Sequence, residues 1–281
     1  MIKTVLLIII ITQVGMARII AGTLPAEVLA LGYTNCVIDE HPDMTDIAPG
    51  KNGSFKWFSG EWYNQSPPER SHYFTTNNLL AMSMGGELVS MPRDFSSGLL
   101  PLISGANGFY VEFEVWLSDN DADHWPALWL MPAEHNGKND CYTGDPTGFE
   151  RWMELDVDEG GFGPGVTGTV HSWNGIYPNF KNLQNHNNVC GVSLDRTQKH
   201  KYGACYDLIN NRVSWYLDGN LLFFAGYPYV PSVVSIQHYY IIISAQSHGL
   251  NKPYTMYVSR INAYMLSMKS LLPPTNLEIV K

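Results

Sequence analysis

Val213-Ser214-Trp215-Tyr216-Leu217-Asp218-Gly219-Asn220-Leu221-Leu222-Phe223-Phe224-Ala225 reads as two short strands around a tight turn. Aromatic and β-branched residues fill both apolar runs, and Asp-Gly suits a two-residue hairpin turn, whose backbone needs positive φ. The pattern recurs elsewhere. Gly108–Leu117, Val166–His171 and Tyr239–Ile243 are strand-length runs, with Gly, Pro and Asn scattered between such segments. Long amphipathic helical periodicity is absent, apart from a weak candidate over Asn77–Met82. Many short strands with frequent turns predict an all-β fold, a β-sandwich jelly roll of two antiparallel sheets.

The 281 residues fit one large all-β domain, and no linker or internal repeat divides them. The net charge of −9 argues against a nucleic-acid partner, because phosphate backbones require a Lys/Arg footprint. Neutral polymers stay open. Lys3, the apolar run Val5–Ile11 and the small residues Gly15 and Ala17 predict a secretory signal over 1–17, with Ala21 as a second cleavage site. The alternative is a first buried strand. The run is too short to span a bilayer, so no membrane partner is expected after signal removal, and the protein is read as secreted and monomeric. The jelly-roll domain is assigned to 18–268 and a C-terminal tail to 269–281. Cys36, Cys141, Cys190 and Cys205 have no metal-finger spacing. Outside the cell they can form up to two disulfides. A Cys190–Cys205 staple is the first expectation, and free buried thiols the alternative. Asn52 and Asn64 head glycosylation sequons.

The chemistry concentrates in Glu154-Leu155-Asp156-Val157-Asp158-Glu159. Side chains alternate faces along a strand, so Glu154 and Asp156 share one face. Glu159 is an odd five steps from Glu154 and points the other way unless one extra residue, a β-bulge, resets the phase. With that bulge, three carboxyls stand in a row. Such crowding raises carboxyl pKa values, and a retaining glycosidase uses the tension. Its two carboxyls stand roughly 5–5.5 Å apart; one attacks the anomeric carbon and the other starts protonated. A solvated loop or a set of Ca²⁺ ligands is the competing reading.

The surroundings bear on that choice. Trp125-Pro126-Ala127-Leu128-Trp129-Leu130-Met131-Pro132, then the acid hexapeptide, then Gly168-Thr169-Val170-His171-Ser172-Trp173, resemble the core of glycoside hydrolase family 16. Trp215-Tyr216-Leu217-Asp218-Gly219 resembles that family's W-Y-x-D-G hairpin. The resemblance covers about Ser97 to Ala225. It implies a concanavalin A-like jelly roll, with Glu154 as nucleophile, Asp156 as the assisting acid and Glu159 as acid/base. It also implies a polysaccharide substrate cut internally with retention. The six-residue acid motif is similar to that of laminarinases, agarases and carrageenases, which points toward β-1,3-glucan or a marine-type galactan, with β-1,3(-1,4)-glucan the first expectation. No cofactor is implied beyond a structural calcium. Three features depart from the pattern: Asp158 stands where an apolar residue is usual, Glu134–Arg151 is an atypical insert, and Tyr257–Tyr264 matches the last strand imperfectly.

Aromatic faces bind the flat C–H faces of sugars. Trp152, two residues before Glu154, is the expected stacking platform. His171 and Trp173 are expected in the cleft near Glu159, with Trp125 at its edge. Trp129 is expected between the sheets, and Gln246 and His248 near far subsites. Met82, Met84 and Met91 are read as packing. Two alternatives share the scaffold: a non-catalytic lectin-like binding protein, and a transglycosylase using the same nucleophile.

Overall fold

The computed structural model describes residues 24–64, 66–94, 98–137, 140–188 and 194–266. The expected signal segment, the tail 269–281 and Cys190 lie outside the described residues. In chain order the strands are β1 (Tyr33–Glu40), β2 (Phe58–Ser59), β3 (Tyr73–Thr76), β4 (Leu79–Ser83), β5 (Glu87–Val89), β6 (Ile103–Ser104), β7 (Phe109–Leu117) and β8 (Trp125–Pro132). They continue as β9 (Phe149–Glu159), β10 (Thr167–Ile176), β11 (Asn179–Asn188), β12 (His200–Asp207), β13 (Arg212–Leu217), β14 (Asn220–Ala225), β15 (His238–Gln246) and β16 (Thr255–Leu266).

These strands form two antiparallel sheets. The cleft sheet has the order β11-β10-β9-β8-β15-β5-β2, with β6 also on β15. The backing sheet has the order β14-β13-β12-β7-β16-β4-β3, with β1 on β16. The sandwich expected from the strand pattern is the observed architecture. Alternation builds its core: Met153 and Leu155 of β9, and Tyr239, Ile241 and Ile243 of β15, meet Val111 and Phe113 of β7 and Trp215 of β13. Burying each such side chain contributes roughly 1.5–3 kcal/mol.

Trp215 also links the core to the acids. Its indole N–H donates to the Asp156 carbonyl at 2.8 Å. The ring lies against Gly168 of β10, where an added Cβ would stand 2.2 Å from the indole nitrogen. Glycine is therefore required at that point of the Gly-Thr-Val-His segment.

The Asp218-Gly219 turn forms as read, with φ of 50° and 81°. Over Asn77–Met82 the helix expectation is corrected. Asn77 and Asn78 have φ of 49° and 62° and turn a hairpin between β3 and β4. Asparagine tolerates that left-handed backbone, so the segment is turn and strand. Met82 and Met91 are buried and Met84 packs against the core, as read. The disulfide expectation is corrected for Cys205, which is an unpaired thiol buried with Tyr33, Tyr110, Tyr216 and Tyr264 beneath the short helix α1 (Ala26–Ala30). Burial pushes this thiol's pKa up, so it stays protonated. No disulfide forms among the described residues. No described helix is long and apolar enough to cross a membrane.

Candidate active site

The bulge demanded by the odd acid spacing is present. Across β8, Trp129 pairs with Asp156 but Leu128 pairs with Asp158, so Val157 is the extra residue. Beyond it Glu159 pairs with Ala127, and Val157 turns into the inter-sheet core. Glu154, Asp156 and Glu159 consequently line one cleft of about 310 Å³, with Tyr63, Glu87, Trp125, Trp129, Ser244 and Gln246 around them.

Each carboxyl has its own partner. The Trp173 indole donates to Glu154 Oε2 at 2.9 Å, and the Trp125 indole donates to Glu159 Oε1 at 2.9 Å. Between them, His171 Nε2 lies 3.1 Å from Asp156 Oδ2. The Asn182 side-chain amide lies 2.7 Å from His171 Nδ1, on the far side of the ring from Asp156, and fixes the ring's orientation. His171 thus serves the middle acid and Trp173 the first, where the sequence suggested both beside Glu159.

Burial raises all three acids. Glu154 is pushed up to about 7 by removal from water and then by the Asp156 charge; His171 and the Trp173 N–H act in the opposite sense. Asp156 is raised by burial and then by Asp158. Glu159 is raised by burial and then by Asp156, against the Trp125 N–H and His171. With all three raised and crowded together, one carboxyl can hold a proton while another is ionised.

Asp158 faces away from the cleft and is 1% exposed. Arg196 grips it through both oxygens, Nη1 to Oδ2 at 2.6 Å and Nη2 to Oδ1 at 3.1 Å.

Two tryptophans differ from expectation. Trp152 shares the face of Glu154 but is 5% exposed, because His135 of the short helix α2 (Ala133–Asn136) stacks on it at 3.6 Å. The insert after Pro132 therefore supplies its cover. Trp152 in turn stacks on Trp173 at 5.8 Å and supports the cleft from behind. Trp129 is not between the sheets. It lies on the same face of β8 as Trp125 and Ala127 and lines the cleft, whereas Leu128 and Leu130 enter the core. Gln246 lines the cleft, and His248 stacks on Trp125 with ring centroids 3.4 Å apart.

The sequence reading missed a second acid pair beside the cleft. Glu87 Oε1 accepts from the Glu61 backbone N–H at 3.0 Å and from the Asn64 amide at 2.8 Å. That bond engages the very nitrogen a glycan on Asn64 would need. Glu61 is 1% exposed and accepts from the Tyr240 hydroxyl at 2.9 Å. Burial, followed by the Glu87 charge, pushes Glu61 up to about 8.

Among the described residues, two side-chain groups have metal-ligand proximity: His135 with Asp140 and Glu150, and His171 with Glu154 and Asp156. Each includes an imidazole, which does not suit the all-oxygen shell of calcium. In both, the ring already pairs with a carboxylate.

No family model and no curated protein matches this chain. Solved structures do. A laminarinase from Flavobacterium sp. UMI-01 superposes with a TM-score of 0.51 at 14% identity, over 82% of this chain and 100% of that one. A Bacteroides ovatus family 16 protein from a mixed linkage glucan locus, solved in complex with product, gives 0.50 at 14% identity, over 80% and 99%. A structure from work on endo-acting O-glycanases of the human gut microbiota gives 0.52 at 16% identity, over 83% and 100%. The fold of this chain is the two-sheet jelly roll of glycoside hydrolase family 16 structures.

Proposed function

We propose that the chain is an exported endo-acting glycoside hydrolase that cleaves a β-linked polysaccharide, β-1,3- or mixed β-1,3/β-1,4-glucan, with retention. The observation that carries this reading is the row Glu154, Asp156, Glu159 on the floor of one open cleft, each outer glutamate held by an indole N–H. Export rests on the apolar N-terminal segment.

In this reading Glu154 attacks the anomeric carbon as a carboxylate. Glu159 gives its proton to the glycosidic oxygen, and the leaving sugar departs. A water then attacks the glycosyl ester, returning its proton to Glu159 and freeing Glu154. Asp156, with His171 Nε2 at its oxygen, sits between the two glutamates and fixes their orientation. Its charge also holds the Glu159 proton in place before attack. Trp129, Trp125 and Tyr63 offer aromatic surface for sugar rings.

The test is a panel of laminarin, lichenan, agarose, carrageenan, xyloglucan and chitin with product sizing, run on the wild type and on Glu154→Gln. The expected result is release of oligosaccharides from laminarin or lichenan, abolished in Glu154→Gln while that variant still binds the glucan. Binding without release by the wild type would instead make the protein a lectin-like module. Normal turnover by Glu154→Gln would remove its nucleophile role.

A further inference from the structure

The Arg196–Asp158 pair does more than fill space. Asp158 immediately follows the bulge and immediately precedes Glu159. Its Oδ1 also accepts the Thr167 backbone N–H at 3.2 Å, so both oxygens are engaged. Arg196 spends its remaining donors on other segments. Nη2 donates to the Gly165 carbonyl at 2.9 Å and Nη1 reaches the Tyr202 hydroxyl at 3.5 Å. Its backbone N–H donates to Asn120 Oδ1 at 2.9 Å, and its carbonyl accepts from the Leu117 N–H at 2.7 Å. The buried guanidinium therefore ties the end of β9 to the β9–β10 loop and to β12, and the backbone of the same residue holds the segment leaving β7.

Stability alone does not call for such a pair. Buried ion pairs replaced by apolar residues of similar volume are often as stable or more so, because desolvation offsets the attraction. An apolar residue at position 158 would fill the interior equally well. An ion pair adds a fixed, closely balanced charge one residue from Glu159.

We propose that Arg196 and Asp158 are positioning residues for Glu159: the pair locks the strand phase after the bulge, and the guanidinium's hold on Asp158 sets the proton balance of the acid row. This rests on the acid/base role given to Glu159 above. The charged and titratable groups around Glu159 are Glu154 and Asp156 on its own face of β9, Asp158 on the opposite face, His171 on β10 and the Trp125 indole on β8, with His248 stacked behind that indole. Arg196 offsets the Asp158 charge, so only a remainder of it reaches Asp156 and Glu159. Removing either partner leaves an uncompensated charge under the row.

The experiment is a ¹³C NMR titration of the Glu159 side-chain carboxyl in the folded protein, assigned by loss of its signal in Glu159→Gln. Asp158→Asn leaves the Arg196 cation and should lower the midpoint by ~1 unit; Arg196→Gln leaves the Asp158 anion and should raise it by ~1 unit. The double variant Asp158→Met/Arg196→Met should return the midpoint to the wild-type position. Either single variant that folds decides the matter, and an unmoved midpoint overturns the proposal. If neither folds while the double variant does, the pair serves the fold alone and the proposal also falls. The titration needs no turnover. A protein that cleaves no glucan yet shows these opposed shifts loses the function proposed above and keeps the charge coupling.

Discussion

The indole N–H of Trp173 meets Oε2 of Glu154 at 2.9 Å. A hydrogen bond to a carboxylate stabilises the ionised form, so this contact holds down an acid that burial pushes up. Trp125 treats Glu159 in the same way from the next strand over on the other side. Two residues of one chemical type therefore support two acids that the proposed mechanism needs in opposite protonation states.

Removing the first donor should act on the acid limb. In Trp173→Phe the Glu154 anion loses a charge-assisted bond, its pKa rises, and the acid limb of the kcat/KM profile moves to higher pH. Turnover below neutrality should fall roughly 10-fold or more, the scale of a hydrogen bond to a charged group. A profile superimposable on the wild type would sink this prediction.

Removing the second should act on the other limb. Trp125→Phe raises the pKa of Glu159, which must begin protonated, so the alkaline limb moves to higher pH. The acid limb should stay in place. Movement of the same limb in both variants would mean that the two glutamates do not divide the labour as proposed.

Trp129 and Trp152 should separate binding from support. Trp129 lines the cleft, so Trp129→Ala should raise KM about 10-fold or more with little change in melting temperature. Trp152 is packed behind Trp173 and beneath His135. Trp152→Ala should cost about 3–5 kcal/mol of stability, read by denaturant unfolding. Equal effects of the two substitutions on KM and stability would contradict this placement.

The buried Glu61 predicts an alkaline weakness. Folding raises its pKa from 4.5 to about 8. The folded state keeps a proton that the unfolded chain releases, so this contribution is complete below 4.5 and is lost as pH rises toward 8. The loss is on the order of 3–5 kcal/mol. Glu61→Gln should flatten the fall of melting temperature between pH 5 and 8. A fall as steep as in the wild type would refute the assignment.

Much of this arrangement was legible in the chain. Alternation put Glu154 and Asp156 on one face, and the odd step to Glu159 required the bulge that Val157 provides. The same rule, applied from Trp125 through Ala127, also puts Trp129 on the cleft face. Its bulk points the other way, toward the core, but an open cleft holds a large ring as readily as the core does. Alternation also puts Trp152 on the face of Glu154, but its cover comes from His135, seventeen positions earlier, and periodicity carries no information about a loop folding back. Glu61, Glu87 and Arg196 come from segments distant in sequence. A lone acid in a short strand, or a lone arginine after β11, gives no pattern to read until the sheets bring it to its partner.

The bulge at Val157 has one further consequence, for how the strand tolerates change over generations. Loss of that single codon would shorten the step from the first to the last glutamate from five to four. An even step in a regular strand keeps both side chains on one face. Two spacings that look incompatible in an alignment are thus one in-frame deletion apart, with the acids facing the cleft before and after.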